Sequence, residues 1–113
     1  MNAKEWVDKG NELFYLGKYE EAIQCYDKAI ETNPDDSNAY NNKGYVLSNL
    51  GNNEEAIKYY DKAIEINSDY AMAYNNKGIA LSNLGNNEEA IKCIDIALEL
   101  NPDLFQQKTT KTP

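Results

Sequence analysis

The sequence predicts an all-α stack of three helical hairpins, on three observations. It repeats itself with a period of 34 residues, each repeat carries apolar stripes at helical spacing, and glycine, asparagine and proline fall where the stripes stop. Shifting the 113-residue chain by 34 lays 37–70 onto 71–104 with 23 of 34 positions identical. Residues 3–36 fit the same register through Gly10, Gly17, Ala22, Tyr26, Ala29 and Pro34. The repeats 3–36, 37–70 and 71–104 thus fill one domain, 1–104. The remainder, 105–113, is polar and aperiodic and is expected to be disordered.

Taken in order, the first hairpin is expected to pair helices over 3–16 and 19–32, with Gly17 between them and Asn33-Pro34 as the stop. The second pairs 37–50 with 53–66. Tyr40, Gly44, Leu47 and Leu50 share a stripe, and Gly51 ends the helix. Asn52, three residues before Glu55, then suggests a capping-box variant, and Glu54 adds charge suited to a first turn. Ala56, Tyr60, Ala63 and Ile64 form the inner face of its second helix, which stops at Asn67-Ser68. The third repeats this over 71–84 and 87–100, with Ile94 in place of the aromatic and Asn101-Pro102 at the end. A glycine inside a helix costs about 1 kcal/mol relative to alanine. Gly10, Gly44 and Gly78 therefore predict close helix–helix approach, helped by small partners such as Ala56 and Ala63. A lone hairpin cannot bury such a face, so the repeats must stack.

Composition narrows the function. Eleven lysines against 19 acidic residues leave a net charge of −8, with neither arginine nor histidine. That balance repels phosphate backbones and acidic membranes, so no nucleic acid and no membrane partner is expected. Without histidine the commonest general base and metal ligand is missing. Cys25 and Cys93 stand 68 residues apart at equivalent repeat positions, beyond disulfide reach and with no base to activate either thiol, so both read as buried packing residues. Asp35-Asp36 lacks the glycine and glutamate of a calcium loop and reads as a helix cap. The pairs Glu20-Glu21, Glu54-Glu55 and Glu88-Glu89 are solvated first-turn charges. No metal, cofactor or catalytic constellation is expected, and the chain is not read as an enzyme. The absence of an apolar run near the roughly 18 residues of a membrane span, and of an apolar leader, suggests a cytoplasmic location.

The order Trp6, Gly10, Gly17, Tyr19, Ala22, Tyr26, Ala29, Pro34 resembles the tetratricopeptide repeat. So do Tyr40, Gly44, Gly51, Ala56, Tyr60 and Ala63, with Ser68 for proline. The third repeat offers Tyr74, Gly78, Gly85, Ala90, Ala97 and Pro102. The resemblance covers 102 of 113 residues. It implies a right-handed α-solenoid whose first helices line a concave groove for peptides and partner proteins. It also makes Tyr26, Tyr40, Tyr60 and Tyr74 core residues.

On that reading the groove is lined by Asn38, Asn41, Asn42, Tyr45, Ser48 and Asn49 in the second repeat. Met72, Asn75, Asn76, Ile79, Ser82 and Asn83 follow in the third, with Asn11 and more loosely Lys4, Val7, Asp8 and Tyr15 in the first. Asparagine is a middling helix former, so its clustering within helices invites a purpose: an amide both donates and accepts, as an extended peptide requires. Asn42 and Asn76 match the asparagine ladder of some family members, and Asp8 breaks it. The same asparagines also read as solvated polar positions in an asparagine-rich sequence. Tyr45 likewise reads either as a groove contact or as plain surface.

Some members hold an acidic C-terminal tail with two asparagines and three basic residues. Here Asn11 and Asn42 match the asparagines, but Val7, Met72 and Asn76 occupy the basic positions, so that ligand is not expected. Lys9, Lys43 and Lys77 are expected to lie along neighbouring helices. The function expected is an interaction scaffold holding an extended segment, with Asn42 and Asn76 free to contact it at no expense to the fold. The alternative is a stack that associates end to end through residues 87–100, where Ile91, Ile94 and Leu98 form an uncovered strip.

Overall fold

The glycines decide where this chain turns. A computed structural model describes residues 1–105, so 106–113 of the expected tail lie outside the described residues. Among the described residues there are six helices and no strand: α1 (Ala3–Tyr15), α2 (Tyr19–Thr32), α3 (Ser37–Asn49), α4 (Asn53–Ile66), α5 (Ala71–Asn83) and α6 (Asn87–Leu100). Each lies within one residue of its expected bounds. Gly17, Gly51 and Gly85 adopt φ of 79°, 88° and 87°, the left-handed region that only glycine enters freely. At the second, Gly51 N–H donates to the Ser48 carbonyl and Asn52 N–H to the Leu47 carbonyl, the paired bonds of a Schellman stop.

That stop explains one correction. Asn52 does not form the expected capping box and makes no side-chain cap bond. Its N–H already donates to Leu47, and its ψ of 65° is not the extended backbone that aims a capping oxygen down the helix. The capping box forms instead at the start of α1, where Glu5 N–H donates to Asn2 Oδ1 at 2.8 Å and Asn2 N–H to Glu5 Oε1 at 2.9 Å. Asp36 caps α3 as expected, accepting from the N–H groups of Asn38 and Ala39.

Within each hairpin the glycine admits a large side chain. A Cβ on Gly10 would stand 2.5 Å from Tyr26 Cε1, one on Gly44 2.7 Å from Tyr60 Cε1, and one on Gly78 2.7 Å from Ile94 Cγ1. Tyr26 and Tyr60 are buried, as are Ala22, Ala29, Ala56, Ala63, Ala90 and Ala97. Three expectations change. Tyr40 and Tyr74 are half-buried rather than core. Leu50 is the exposed C-cap of α3 instead of a stripe residue. Ile94 faces Gly78 of its own hairpin, so it does not belong to the uncovered strip on α6. Cys25 and Cys93 are buried and unbridged, and burial pushes both thiols up from their ordinary value.

Stacking gives the curve. Besides neighbours in sequence, the backbones of α1 and α3 and of α3 and α5 come close, whereas those of α2 and α4, and of α4 and α6, stand further apart among the described residues. First helices are therefore closer together than second helices, and the all-α solenoid bends with α1, α3 and α5 on its inside.

Candidate functional site

The inner side holds a cavity of about 460 Å³, lined by Asn11, Phe14, Tyr15, Tyr26, Asn41, Asn42, Tyr45, Met72, Asn75, Asn76 and Ile79. Inner positions recurring on α1, α3 and α5 supply most of it, and Tyr26 reaches it from α2. Nine residues expected in the groove converge here: Asn11, Tyr15, Asn41, Asn42, Tyr45, Met72, Asn75, Asn76 and Ile79. Tyr45, Met72 and Ile79 are 45%, 45% and 46% exposed, so its rim is apolar and open.

The floor is a chain of hydrogen-bonded amides. Tyr26 O–H donates to Asn11 Oδ1 at 2.6 Å, and Asn42 Nδ2 donates to the same oxygen at 3.0 Å. Asn41 Nδ2 donates to Asn42 Oδ1 and to the Tyr70 hydroxyl, both at 3.3 Å, and Tyr70 O–H in turn donates to Asn38 Oδ1 at 2.7 Å. Asn76 Nδ2 donates to Asn41 Oδ1 at 3.1 Å. One network thus crosses all three repeats. Burial holds the phenols of Tyr26 and Tyr60 protonated well above their usual range and also pushes that of Tyr70 up. Asn76 is only 5% exposed, so its amide joins the second and third repeats instead of standing free.

The other expected residues lie elsewhere. Asn38 lines a second depression together with Lys4, Val7, Asp8, Asn11, Asp36, Asn42 and Tyr70. Ser48 Oγ donates to Asn53 Oδ1 at 2.8 Å, and Asn83 Nδ2 reaches the same oxygen at 3.3 Å, so both tie α4 to its neighbours. Asn49 Nδ2 donates to the Tyr45 carbonyl in its own helix, and Ser82 is exposed outside the cavity. Phe14, Tyr26 and Tyr70 were not among the expected groove residues. Phe14 is the repeat equivalent of Ser48, and the period could have pointed to it; Tyr70 ends a repeat, 29 residues beyond Asn41, and no local pattern marks it.

No charged side chain lines the main cavity. Lys43 donates to Asp27 at 2.7 Å with its Nζ 4.3 Å from the centre of the Tyr59 ring, and Lys77 pairs with Asp61 at 2.7 Å. Burial opposes the Lys43 charge, but Asp27 and Tyr59 together offset it and leave the pKa above the ordinary lysine value; for Lys77 burial is likewise offset by Asp61 together with Cys93 and Glu89. These lysines join each first helix to the outer helix of the preceding repeat. Among the described residues no group of Cys, Asp and Glu is placed to hold a metal ion, and no helix is long and apolar enough to cross a membrane.

Comparison with known proteins agrees with this architecture. A family model described as TPR repeat matches residues 10–51, and one described as tetratricopeptide repeat matches 37–70 and 71–104. Over 40 residues the chain is 52% identical to Hsp70-Hsp90 organizing protein 1 of Glycine max, which is 35% of this chain and 7% of that protein. It is 56% identical over 32 residues to the mitochondrial import receptor subunit TOM70 of Rattus norvegicus, 28% of this chain and 5% of that one. The chain therefore spans a small part of the curated relatives it matches. Among solved structures, the first TPR of Spaghetti (RPAP3) bound to the HSP90 peptide SRMEEVD superposes with a TM-score of 0.88 at 34% identity, covering 91% of this chain and 82% of that chain.

Proposed function

The chain belongs to the tetratricopeptide repeat family, and from that premise we propose that it is a cytoplasmic interaction scaffold which holds an extended segment of a partner protein along α1, α3 and α5. One observation carries this: a continuous inner cavity in which amides from three repeats form the floor and Tyr45, Met72 and Ile79 form an open apolar rim. An amide floor presents N–H and C=O groups to a peptide backbone, while the rim takes alternate side chains. Neutral hydrogen bonds contribute about 0.5–1.5 kcal/mol each, so affinity accumulates over the repeats. The peptide-bound relative supports an interaction role and no more, because Val7, Met72 and Asn76 stand here where a carboxylate-binding groove needs cations. The reading assigns no catalysis and no cofactor. The test is affinity capture from the source cell with the parent chain and with Tyr45→Ala/Ile79→Ala. Partners retained by the parent and lost from the variant are expected; equal retention would refute groove binding.

End-on association is a second reading, favoured by Ile91. Its equivalents Ile23 and Ile57 are half-buried against following repeats, whereas Ile91 is 60% exposed. The mating surface is nonetheless unsuited to it. Ala39 and Val46 of α3 pack on the first repeat and Ala80 of α5 on the second, but α1 carries Glu5 and Glu12 at those positions. Sedimentation of the parent against Ile91→Lys decides the matter: equal masses at all concentrations would dismiss end-on stacking.

A further inference from the structure

Resting on the groove reading above, we infer that the accepted segment is apolar towards one end and basic towards the other, and that acidic C-terminal tails are rejected. The main cavity continues through Asn11 and Asn42, which it shares with the second depression, so the two form one path. At one end of the path are Tyr45, Met72 and Ile79, each nearly half exposed and uncharged. At the other end stand two carboxylates, Asp8 and Asp36, against a single ammonium, Lys4. Lys4 lies 2.9 Å from Asp8, with both side chains largely in solvent, a pair that a competing cation displaces at little cost. Asp36 uses Oδ1 to cap α3, which leaves a carboxylate charge facing the path. The two inner lysines further along, Lys43 and Lys77, are already held by Asp27 and Asp61. A tail of glutamates and a terminal carboxylate would meet one ammonium, Lys4, against the two carboxylates of Asp8 and Asp36, inside a protein of net charge −8. A lysine or arginine side chain would meet Asp8 and Asp36.

The test selects from a synthetic nonapeptide library with free C-termini, using the full chain, Asp8→Asn/Asp36→Asn and Tyr45→Ala/Ile79→Ala. Asparagine caps a helix as well as aspartate does, so the charge variant keeps its fold. The parent should enrich Lys and Arg towards one end of the bound peptides by about two- to five-fold, with apolar residues towards the other end and Asp and Glu depleted. In Asp8→Asn/Asp36→Asn the basic preference should vanish while the apolar preference persists. Apolar enrichment that Tyr45→Ala/Ile79→Ala abolishes, without basic enrichment or with acidic C-termini enriched, overturns this inference and leaves the groove reading standing. No enrichment, or enrichment indifferent to Tyr45→Ala/Ile79→Ala, overturns both.

Discussion

The first and third repeats share a template and differ in how they finish the stack. In the first, Gly10 receives the buried ring of Tyr26, whose hydroxyl is bonded to Asn11, and the outward positions of α1 are Glu5 and Glu12. In the third, Gly78 receives the aliphatic Ile94, which has no polar tip, and α6 leaves Ile91 open. Even the inter-repeat ion pair is lopsided: Asp27 and Asp61 hold Lys43 and Lys77, while Asp95, next in that series, is exposed. Solubility of a repeat array depends on polar terminal faces. The outward face of the first repeat is polar and that of the third is not, so a shared template does not give repeats a shared role.

The sharpest way to break this comparison is to remove the two side chains that the glycines admit. Tyr26→Ala should cost about 3–5 kcal/mol, and Ile94→Ala, from a half-buried site, about 2 kcal/mol, read by urea denaturation. Equal losses would mean that the two repeats are equally sealed. Next in size is the amide floor. Asn76→Ala should cost about 1–3 kcal/mol, because it removes a buried bond and strips a donor from Asn41, and hydrogen exchange should quicken first in the third repeat. This reverses the expectation from sequence that alanine there leaves stability unchanged, and an unchanged melting temperature would restore it.

Alkali should separate the repeats further. The phenol of Tyr26 titrates well above the usual tyrosine value in the folded chain, because of burial, and near 10.0 when unfolded. The folded state therefore keeps a proton that the unfolded state releases. Its contribution to stability is complete below pH 10 and declines as pH rises beyond it, by about 1 kcal/mol at pH 11. Tyr26→Phe should flatten that decline, while substitution of Ile94, which has no proton to lose, should not. The smallest effect on stability, within about 0.5 kcal/mol, belongs to the outer face of α1. Glu12→Val, which leaves the Asn2–Glu5 capping box intact, copies Val46 of α3 and should raise the sedimentation mass with concentration. If the mass stays constant, Glu12 is not what keeps that face free.

Much of the fold was legible because the 34-residue period states the same boundaries three times, and because glycine at a left-handed turn has no substitute. The Gly44–Tyr60 approach was legible for the same reason, through the cost of an otherwise unhelpful residue. The floor of the groove was not. Asn42 and Asn76 look identical in sequence whether solvated or bonded, and their partners Asn11 and Asn41 lie 31 and 35 residues away. Ile94 was misplaced because a β-branched residue fits either side of α6, and only its distance from Gly78 decides between them. The capping box moved from Asn52 to Asn2 because a Schellman turn had already taken the N–H that the box requires.

The amide chain on the inner helices also has a mechanical side. Drawing the two ends of the molecule apart straightens the arc and stretches its inside before its outside. Asn11, Asn42, Asn41 and Asn76 lie along that inner line, so they bear the load as a tendon does, whereas the outer helices, whose backbones stand further apart, are joined by no such chain of amides among the described residues. Hydrogen bonds are stiff over tenths of an ångström and slack beyond, so the arc should be rigid under thermal bending and yield abruptly under sustained pull.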